Sequence, residues 1–308
     1  MQLTISEEQS GMLLRQLLKQ LRLSSKMIRH LKFLPDGILV NGAHVTVRYV
    51  LRAGDRLTLA TEDEASAPIK PVDLPIEILY EDEDLVVPSK PANMPTHPSC
   101  DHYEDTVANA LAYRYSKSGI SFVFRPINRL DRNTSGLLLI ARNRIAASCL
   151  SEAMQRGAIQ KRYLAVLDGV LPEDRGVIDR PLHRTAQSVI LREICSPDAP
   201  DASPSVTEYR VLARGESHTL VEARPITGRT HQLRVHFASL GHPITGDDLY
   251  GVASPLIARH ALHAYTLTFP HPSRDETLSL KAPLPNDLQE LIHACFPELN
   301  FSYERSLP

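Results

Sequence analysis

The sequence predicts an α+β protein in two units. A mixed, largely antiparallel sheet with peripheral helices is expected over residues 76–308, preceded by a small α/β unit over residues 1–60. Three observations carry this reading. Extended apolar runs outnumber helical patterns and are not followed regularly by crossovers, which disfavours a doubly wound fold. A chain of 308 residues has room for about two domains at roughly 150 residues each. Residues 61–75 are acidic, proline-rich and without periodicity, as a linker is, and such a junction implies few contacts across it.

In the first unit, Leu14, Leu17, Leu18 and Leu21 recur at helical spacing. Ser24 then sits where an N-cap would open a second helix through Ile28 and Leu31. Ile38 to Val40, the turn dipeptide Asn41-Gly42, a second extended run, and the turn Ala53-Gly54-Asp55 ahead of Leu57-Thr58-Leu59 add a small sheet. In the larger unit, strands are expected at Ile76 to Leu79, Leu85 to Val87, Leu137 to Ala141, Tyr163 to Leu167, Val206 to Leu212, Leu220 to Ala223 and Leu262 to Phe269. Helical patterns are clearest at Asn143 to Gln155, His231 to Leu240 and Asn286 to Cys295.

A hydrophobic fraction of 43% and a charged fraction of 23% are those of a globular chain and exclude wholesale disorder. Apolar runs such as Leu137 to Ala141 fall far short of the roughly 20 residues of a membrane-spanning helix. Glu7 and Glu8 stand where a secretory signal would carry basic residues, so a cytoplasmic location is expected. Four scattered cysteines, Cys100, Cys149, Cys195 and Cys295, suggest reduced thiols rather than a disulfide framework or zinc knuckles. The net charge of −2 conceals an asymmetry: residues 1–60 carry +5, residues 61–105 carry −10, and the remainder is again basic. Two regions are therefore able to meet a polyanion.

Pro126 to Ala141 is the segment richest in chemistry. A loop bearing Arg129, Asp131 and Arg132 runs through Thr134-Ser135-Gly136 into an apolar strand, which puts a carboxylate on irregular backbone held by rigid structure. Taken alone, Asp131 reads first as pairing with Arg129 or Arg132 in a surface turn. Thirteen histidines do not make a metal site: His231 and His236 are five apart, and no second ligand set completes them. His97, His242 and His263 read as hydrogen-bonding residues that fix loops. No phosphate-binding glycine loop is present, so neither metal nor nucleotide cofactor is expected.

Arg129-Leu130-Asp131 with Thr134-Ser135-Gly136 resembles the catalytic loop of the pseudouridine synthases in the family named after large-subunit ribosomal synthases A, C and D. The likeness continues in order through Ile78 to Val87, Lys90-Pro91, Pro95 to Pro98, Lys161-Arg162-Tyr163, Thr227 to His236, Gly241 to Asp247, Tyr250-Gly251 and Leu262-His263-Ala264. It covers about residues 76–285. The first sixty residues resemble the small RNA-binding domain shared with ribosomal small-subunit protein four, though the segment Phe33 to Gly37 lengthens the usual connection.

The resemblance implies an RNA pseudouridine synthase that needs neither cofactor nor metal and acts by base flipping. It implies Asp131 as nucleophile, attacking carbon 1′ or carbon 6 of the uridine or removing a ribose proton. Its carboxylate must stay ionised in a dry pocket, and the resemblance assigns Arg234 as the cation that keeps it so. Tyr163 corresponds to the aromatic that stacks on the uracil and helps remove the carbon 5 proton. Arg129 corresponds to the residue that enters the RNA stack where the uridine left. Arg229 lies in the same family segment as Arg234 and is expected to contact RNA, as are Lys26, Arg29 and Lys32 of the N-terminal unit, where His30 lies among them.

Asn128 stands where the family often has histidine, and it keeps a hydrogen-bonding side chain. Pro88 to Asn93 departs from the family's usual Asn-Lys-Pro-Ala-Gly, and Ser196 to Pro204 lacks a common basic motif; both are expected in loops that contact RNA and influence substrate choice. Structured RNA is the expected partner, ribosomal in preference and transfer RNA in the alternative, with no membrane partner. Oligomeric state is open, and a monomer suffices. The rivals are a non-catalytic RNA-binding or ribosome-assembly protein retaining the fold, and a nucleoside hydrolase with a carboxylate nucleophile.

Overall fold

The computed structural model describes residues 2–21, 23, 25–60, 69–120, 122–186, 188 and 190–299. The expected N-cap Ser24, the side chain of Lys26 and residues 61–68 of the expected linker lie outside that description.

The N-terminal unit comprises strand β1 (Gln2–Thr4), helices α1 (Leu14–Gln20) and α2 (Ser25–Phe33), and strands β2 (Ile38–Val40), β3 (Ala43–His44) and β4 (Arg56–Leu59), its sheet ordered β1-β4-β2-β3. Asn41 and Gly42 form the β2/β3 turn with φ of 53° and 80°, the left-handed backbone this dipeptide favours. Leu14, Leu17, Leu18, Met27 and Leu31 meet Ile38, Val40, Leu57 and Leu59 in one core. That core does not close on itself. Ile145 and Cys149 of a helix in the larger unit are buried in it, Cys149 donates its thiol to the Leu21 carbonyl (3.3 Å), and Arg144 meets His30. The expectation of few contacts across the junction is thereby corrected: the small unit covers an apolar helix face that would otherwise meet water.

The larger unit follows with β5 (Glu77–Glu81), β6 (Leu85–Lys90), α3 (Val107–Lys117), β7 (Arg125–Pro126), β8 (Ser135–Leu137), β9 (Ile140–Ala141) and α4 (Arg144–Gln155). After these come β10 (Gln160–Asp168), β11 (Arg175–Asp179), β12 (Leu182–Arg184), β13 (Arg192–Ile194), β14 (Val206–Arg214), β15 (His218–Pro225), α5 (Gln232–Ala238), β16 (Leu262–Pro270), β17 (Thr277–Lys281) and α6 (Asn286–Cys295). Its main sheet is ordered β11-β14-β15-β10-β16-β8-β6-β9-β7, with β17 beside β16 and β5 beside β6. Among the described strands the pairing is antiparallel except between β8 and β16, so the mixed, largely antiparallel α+β architecture is the one observed. The helices expected at the three patterned segments form as α4, α5 and α6.

Two features position the site. The loop 127–134 empties into β8, whose Gly136 (φ 110°) lies against β16 so closely that a Cβ there would sit 2.2 Å from the Ala264 carbonyl oxygen. Tyr163 on β10 pairs with Ala264 of β16 on one side and Ala223 of β15 on the other, so its ring stands on the central strands of the sheet. Pro88 to Lys90 is part of β6 and Lys90 is buried, which corrects the expectation of an RNA-contacting loop at those positions. No helix among the described residues is long and apolar enough to cross a membrane.

Candidate active site

A cavity of about 610 Å³ opens between the loop 127–134, β10 and the segment leading into α5. Asp131, Tyr163, Arg234, Arg129 and Arg229 all line it. Residues separated by more than a hundred positions in the chain thus face one space. Arg29 and Lys32 lie exposed on α2, outside its lining.

The Asp131 carboxylate is 3.6 Å from Arg234 Nη1 and 4.0 Å from His231 Nε2. Its side chain keeps 20% of its exposure, so the pocket is partly wet rather than dry. The surface-turn alternative fails on geometry, because Arg132 donates to Asn93 Oδ1 at 2.5 and 2.9 Å and no ion pair joins Arg129 to Asp131. At the effective dielectric typical of such sites, two unit charges about 4 Å apart attract by roughly 4 kcal/mol.

Arg234 is held by a second carboxylate. Its Nε and Nη2 donate to Asp247 Oδ2 and Oδ1 at 2.7 and 2.6 Å, with the arginine 3% exposed and Asp247 wholly buried. This bidentate pair spends two sides of the fork and leaves Nη1 for Asp131. Burial would raise the Asp247 acid, but the Arg234 hydrogen bonds and charge outweigh it and hold it below its ordinary 3.8. For Arg234, burial opposes the charge, and Asp247 and then Asp131 more than restore it. Asp247 Oδ1 also accepts from the Leu249 and Tyr250 amides (3.1 and 3.2 Å).

His231 caps α5 from left-handed backbone (φ 57°), a conformation that costs a non-glycine residue on the order of 1 kcal/mol or more. Its Nδ1 hydrogen-bonds the Tyr250 hydroxyl at 2.8 Å, which fixes the ring beside Asp131. Burial lowers its pKa, with the Asp131 charge opposing, so the imidazole next to the carboxylate is neutral at pH 7. Burial raises the Tyr163 phenol and the charge of Asp131 adds to it, so the hydroxyl keeps its proton at neutral pH.

Several carbonyls of the loop 127–134 and of the chain beside it are taken by donors. Thr96 Oγ1 bonds the Leu130 carbonyl (3.1 Å), the Thr134 amide bonds that of Asp131 (3.1 Å), and Lys90 Nζ bonds those of Arg132 (2.8 Å), Pro91 (2.8 Å) and Met94 (2.7 Å). Lys90 is 1% exposed; burial brings it down to about 7, with the Asp131 charge opposing. Asn128 accepts from the Leu139 amide at 2.7 Å, so the side chain standing where the family often has histidine pins the loop to the strand. His242 fixes a loop as expected, bonding the Asp168 carbonyl (3.0 Å), whereas His263 on β16 bonds Ser135 Oγ of β8 (2.9 Å) and joins two strands, and His97 lines the cavity. His236 is buried between Thr207 Oγ1 and the Arg180 carbonyl. Among the described residues no cluster of three or more His, Cys, Asp or Glu is arranged around a metal position.

Sequence reasoning did not assign roles to Asp247, His231, Tyr250 or Lys90. The signal available for Asp247 and Tyr250 was their place inside family-like segments; their partners become visible only in three dimensions.

Residues 84–239 match the model of the RNA pseudouridylate synthase family. The chain is 38% identical to the uncharacterised RNA pseudouridine synthase YjbO of Bacillus subtilis, over 89% of this chain and 95% of the relative. It is 35% identical to ribosomal large subunit pseudouridine synthase D of Zymomonas mobilis, over 94% and 96%. Among solved structures it is similar to human RNA pseudouridylate synthase domain containing 4 (TM-score 0.58, 26% identity, covering 70% of this chain and 92% of that one). Human RNA pseudouridylate synthase domain containing 1 is comparably similar (TM-score 0.56, 29% identity, 72% and 87%). The fold, the cavity and these likenesses converge: the chain belongs to the RNA pseudouridylate synthase family and is an isomerase acting on RNA.

Proposed function

We propose that this enzyme converts uridine to pseudouridine in large-subunit ribosomal RNA, with Asp131 as the nucleophile. The single observation that carries the mechanism is the Asp131 carboxylate held beside Arg234 in a cavity that Tyr163 also lines. A non-catalytic RNA-binding protein has no need of that arrangement. The ribosomal target rests on relatives named as ribosomal large subunit synthases D, at 33–35% identity over most of the chain.

In the reaction the bond from N1 to carbon 1′ breaks, the uracil turns within the cavity, and a bond forms from carbon 5 to carbon 1′. The carbon 5 proton leaves and N1 gains one. A volume of about 610 Å³ is ample for one extruded nucleotide and its rotation. Extrusion costs a few kcal/mol of unstacking, which the exposed guanidinium of Arg129 at the cavity wall offsets by taking the base's place in the RNA stack. Tyr163 presents a ring on which the uracil stacks. Because its phenol is pushed up by burial, Tyr163 serves as a hydrogen-bond donor and relay for the carbon 5 proton, not as an anionic base. Arg229, whose Nε donates to the Pro204 carbonyl at 3.2 Å, is placed to meet a phosphate beside the flipped base. On the N-terminal unit, Arg29 and Lys32 present exposed charge to the RNA backbone, and Lys26 is proposed with them.

The test is Asp131→Asn, which keeps shape and loses the nucleophile. Pseudouridine mapping across total RNA from cells with and without the gene identifies the target. On that RNA the variant should release no carbon 5 proton and should bind as tightly as the parent. Retained turnover overturns the assignment of Asp131, and a mapped site in transfer RNA overturns the ribosomal target.

A further inference from the structure

We infer that Arg259 and Asp287 form a positioning pair for the reaction, through which the C-terminal helix α6 sets the geometry of the catalytic loop. Both residues lie beyond the segment matched to the family model. The inference rests on Asp131 being the nucleophile, as proposed above.

Arg259 sits on irregular chain ahead of β16 and is 6% exposed. Its Nη1 donates to the carbonyl of Asn133 at 3.1 Å, two residues from Asp131, and to those of His260 and Leu262 at 3.3 Å each. The other side of the fork, Nε and Nη2, is bound by Asp287 Oδ2 and Oδ1 at 2.7 and 3.0 Å. One guanidinium thus ties the loop, the start of β16 and α6 together. A bidentate carboxylate fixes the plane of that guanidinium, which a single acceptor would leave free to rotate. Asp287 is in the first turn of α6, and the helix is seated by Leu288, Leu291 and Ile292 in the main core, so the anchor is rigid.

The neighbouring contacts reinforce the same loop. His260 Nε2 meets Thr134 Oγ1 at 2.8 Å, and Lys90 Nζ donates to the Arg132 carbonyl at 2.8 Å. Arg259 is the member of this set whose counter-ion lies on a separate helix and is itself 43% exposed. That exposure makes Asp287 open to substitution without a buried cavity. Arg259 and Asp287 do not line the cavity, so they act on the reaction only by placing Asp131.

The experiment compares Asp287→Asn, Asp287→Glu, Arg259→Lys and their double combination Arg259→Lys/Asp287→Asn with the parent, in the full-length enzyme. Turnover is read as tritium release from total RNA labelled at carbon 5 of uridine, and Asp131→Asn is run alongside. A displacement near 1 Å at a reacting group can cost about a hundredfold in rate, so loosening one tether two residues away should cost about tenfold in kcat. The expected result is that tenfold fall for Asp287→Asn with apparent KM for RNA within about twofold, substantial rescue in Asp287→Glu, and a double variant no worse than the more damaged single one. Thermal unfolding that drops while kcat holds makes the pair structural and overturns the proposal, as does a variant that cannot be obtained folded. A rise in KM at constant kcat also overturns it, by placing the pair on an RNA surface. If Asp131→Asn itself turns over, the nucleophile assignment fails first and the positioning role falls with it; if Asp131→Asn is dead and Asp287→Asn is fully active, the positioning role alone is wrong.

Discussion

The buried pair between Arg234 and Asp247 offers the sharpest test of how this site is built. In Asp247→Asn one acceptor oxygen becomes an amide donor facing a guanidinium that is 3% exposed. The fork at 2.6 and 2.7 Å loses one bond and its counter-charge, while the Leu249 and Tyr250 amides compete for the remaining oxygen. Removing one partner of a buried ion pair typically costs roughly 3–5 kcal/mol, because the other charge is left uncompensated. At about 2–4 °C per kcal/mol for a domain of this size, the melting temperature should fall by about 6–20 °C. Arg234 would then turn towards Asp131, the carboxylate left within its reach, and misplacing this proposed nucleophile should cost about a hundredfold in kcat. The pH dependence has a definite sign. Asp247 has its folded pKa held below 3.8, so its contribution to stability is present above pH 3.8 and is lost as pH falls through the lower folded value. The parent should therefore lose stability below about pH 4 more steeply than Asp247→Asn, and the two curves should converge in acid. Thermal unfolding from pH 7 to pH 3, with tritium release at pH 7, measures both effects. A variant melting within 2 °C of the parent and turning over at the parent's rate would refute the idea that Asp247 aims the arginine.

Three other outcomes follow from the same geometry. Arg234→Lys keeps the cation but cannot hold both Asp247 oxygens and reach Asp131, so kcat should fall by at least about tenfold with RNA affinity unchanged; equal kcat would mean that the planar fork is not needed. Gly136→Ala places a Cβ 2.2 Å from the Ala264 carbonyl at a φ of 110°, and should lower the urea midpoint by the equivalent of about 2 kcal/mol or more; an unchanged midpoint would mean that β8 and β16 are not packed as described. Removing residues 1–65 should flatten the salt dependence of RNA binding, read by titration across a salt series, and lower thermal stability by roughly 2–4 kcal/mol as Ile145 and Cys149 meet water. An unchanged salt slope would show that the N-terminal charge is a solvated face, and an unchanged melting curve that those two side chains are not held by it.

What could be read from the chain and what could not divides along a physical line. Asp131 was legible only because the contiguous run Arg129 to Gly136 resembles a family motif; taken alone, a carboxylate among arginines reads as a surface turn. Tyr163 and Arg234 were legible through local segments of similar kind. The groups that aim them were not, because their partners are distant: Asp247 bonds a residue 13 positions away, Lys90 one 42 away and Arg259 one 126 away. No periodicity links such pairs. The fold shows the same division. Leu137 to Ala141 reads as one apolar strand, yet its ends do different work: Leu137 pairs with Ser89, whereas Ile140 and Ala141 pair with Val86 and Leu85 and also with Pro126 and Arg125. A continuous apolar run cannot report a change of partner. Helix α3 was missed for a related reason, since Val107, Ala108, Asn109, Ala110 and Leu111 are all buried, so its first half shows no polar stripe and only its second half, with Arg114, Ser116 and Lys117 exposed, does. Its cap was nonetheless in plain view, for Thr106 accepts from the Asn109 amide, and a threonine three residues ahead of an asparagine is a start signal that needs no amphipathic face. A contiguous motif therefore marked the proposed nucleophile and a local cap could have marked the helix, whereas the groups that hold the site come from remote chain, which only the folded sheet brings within bonding distance.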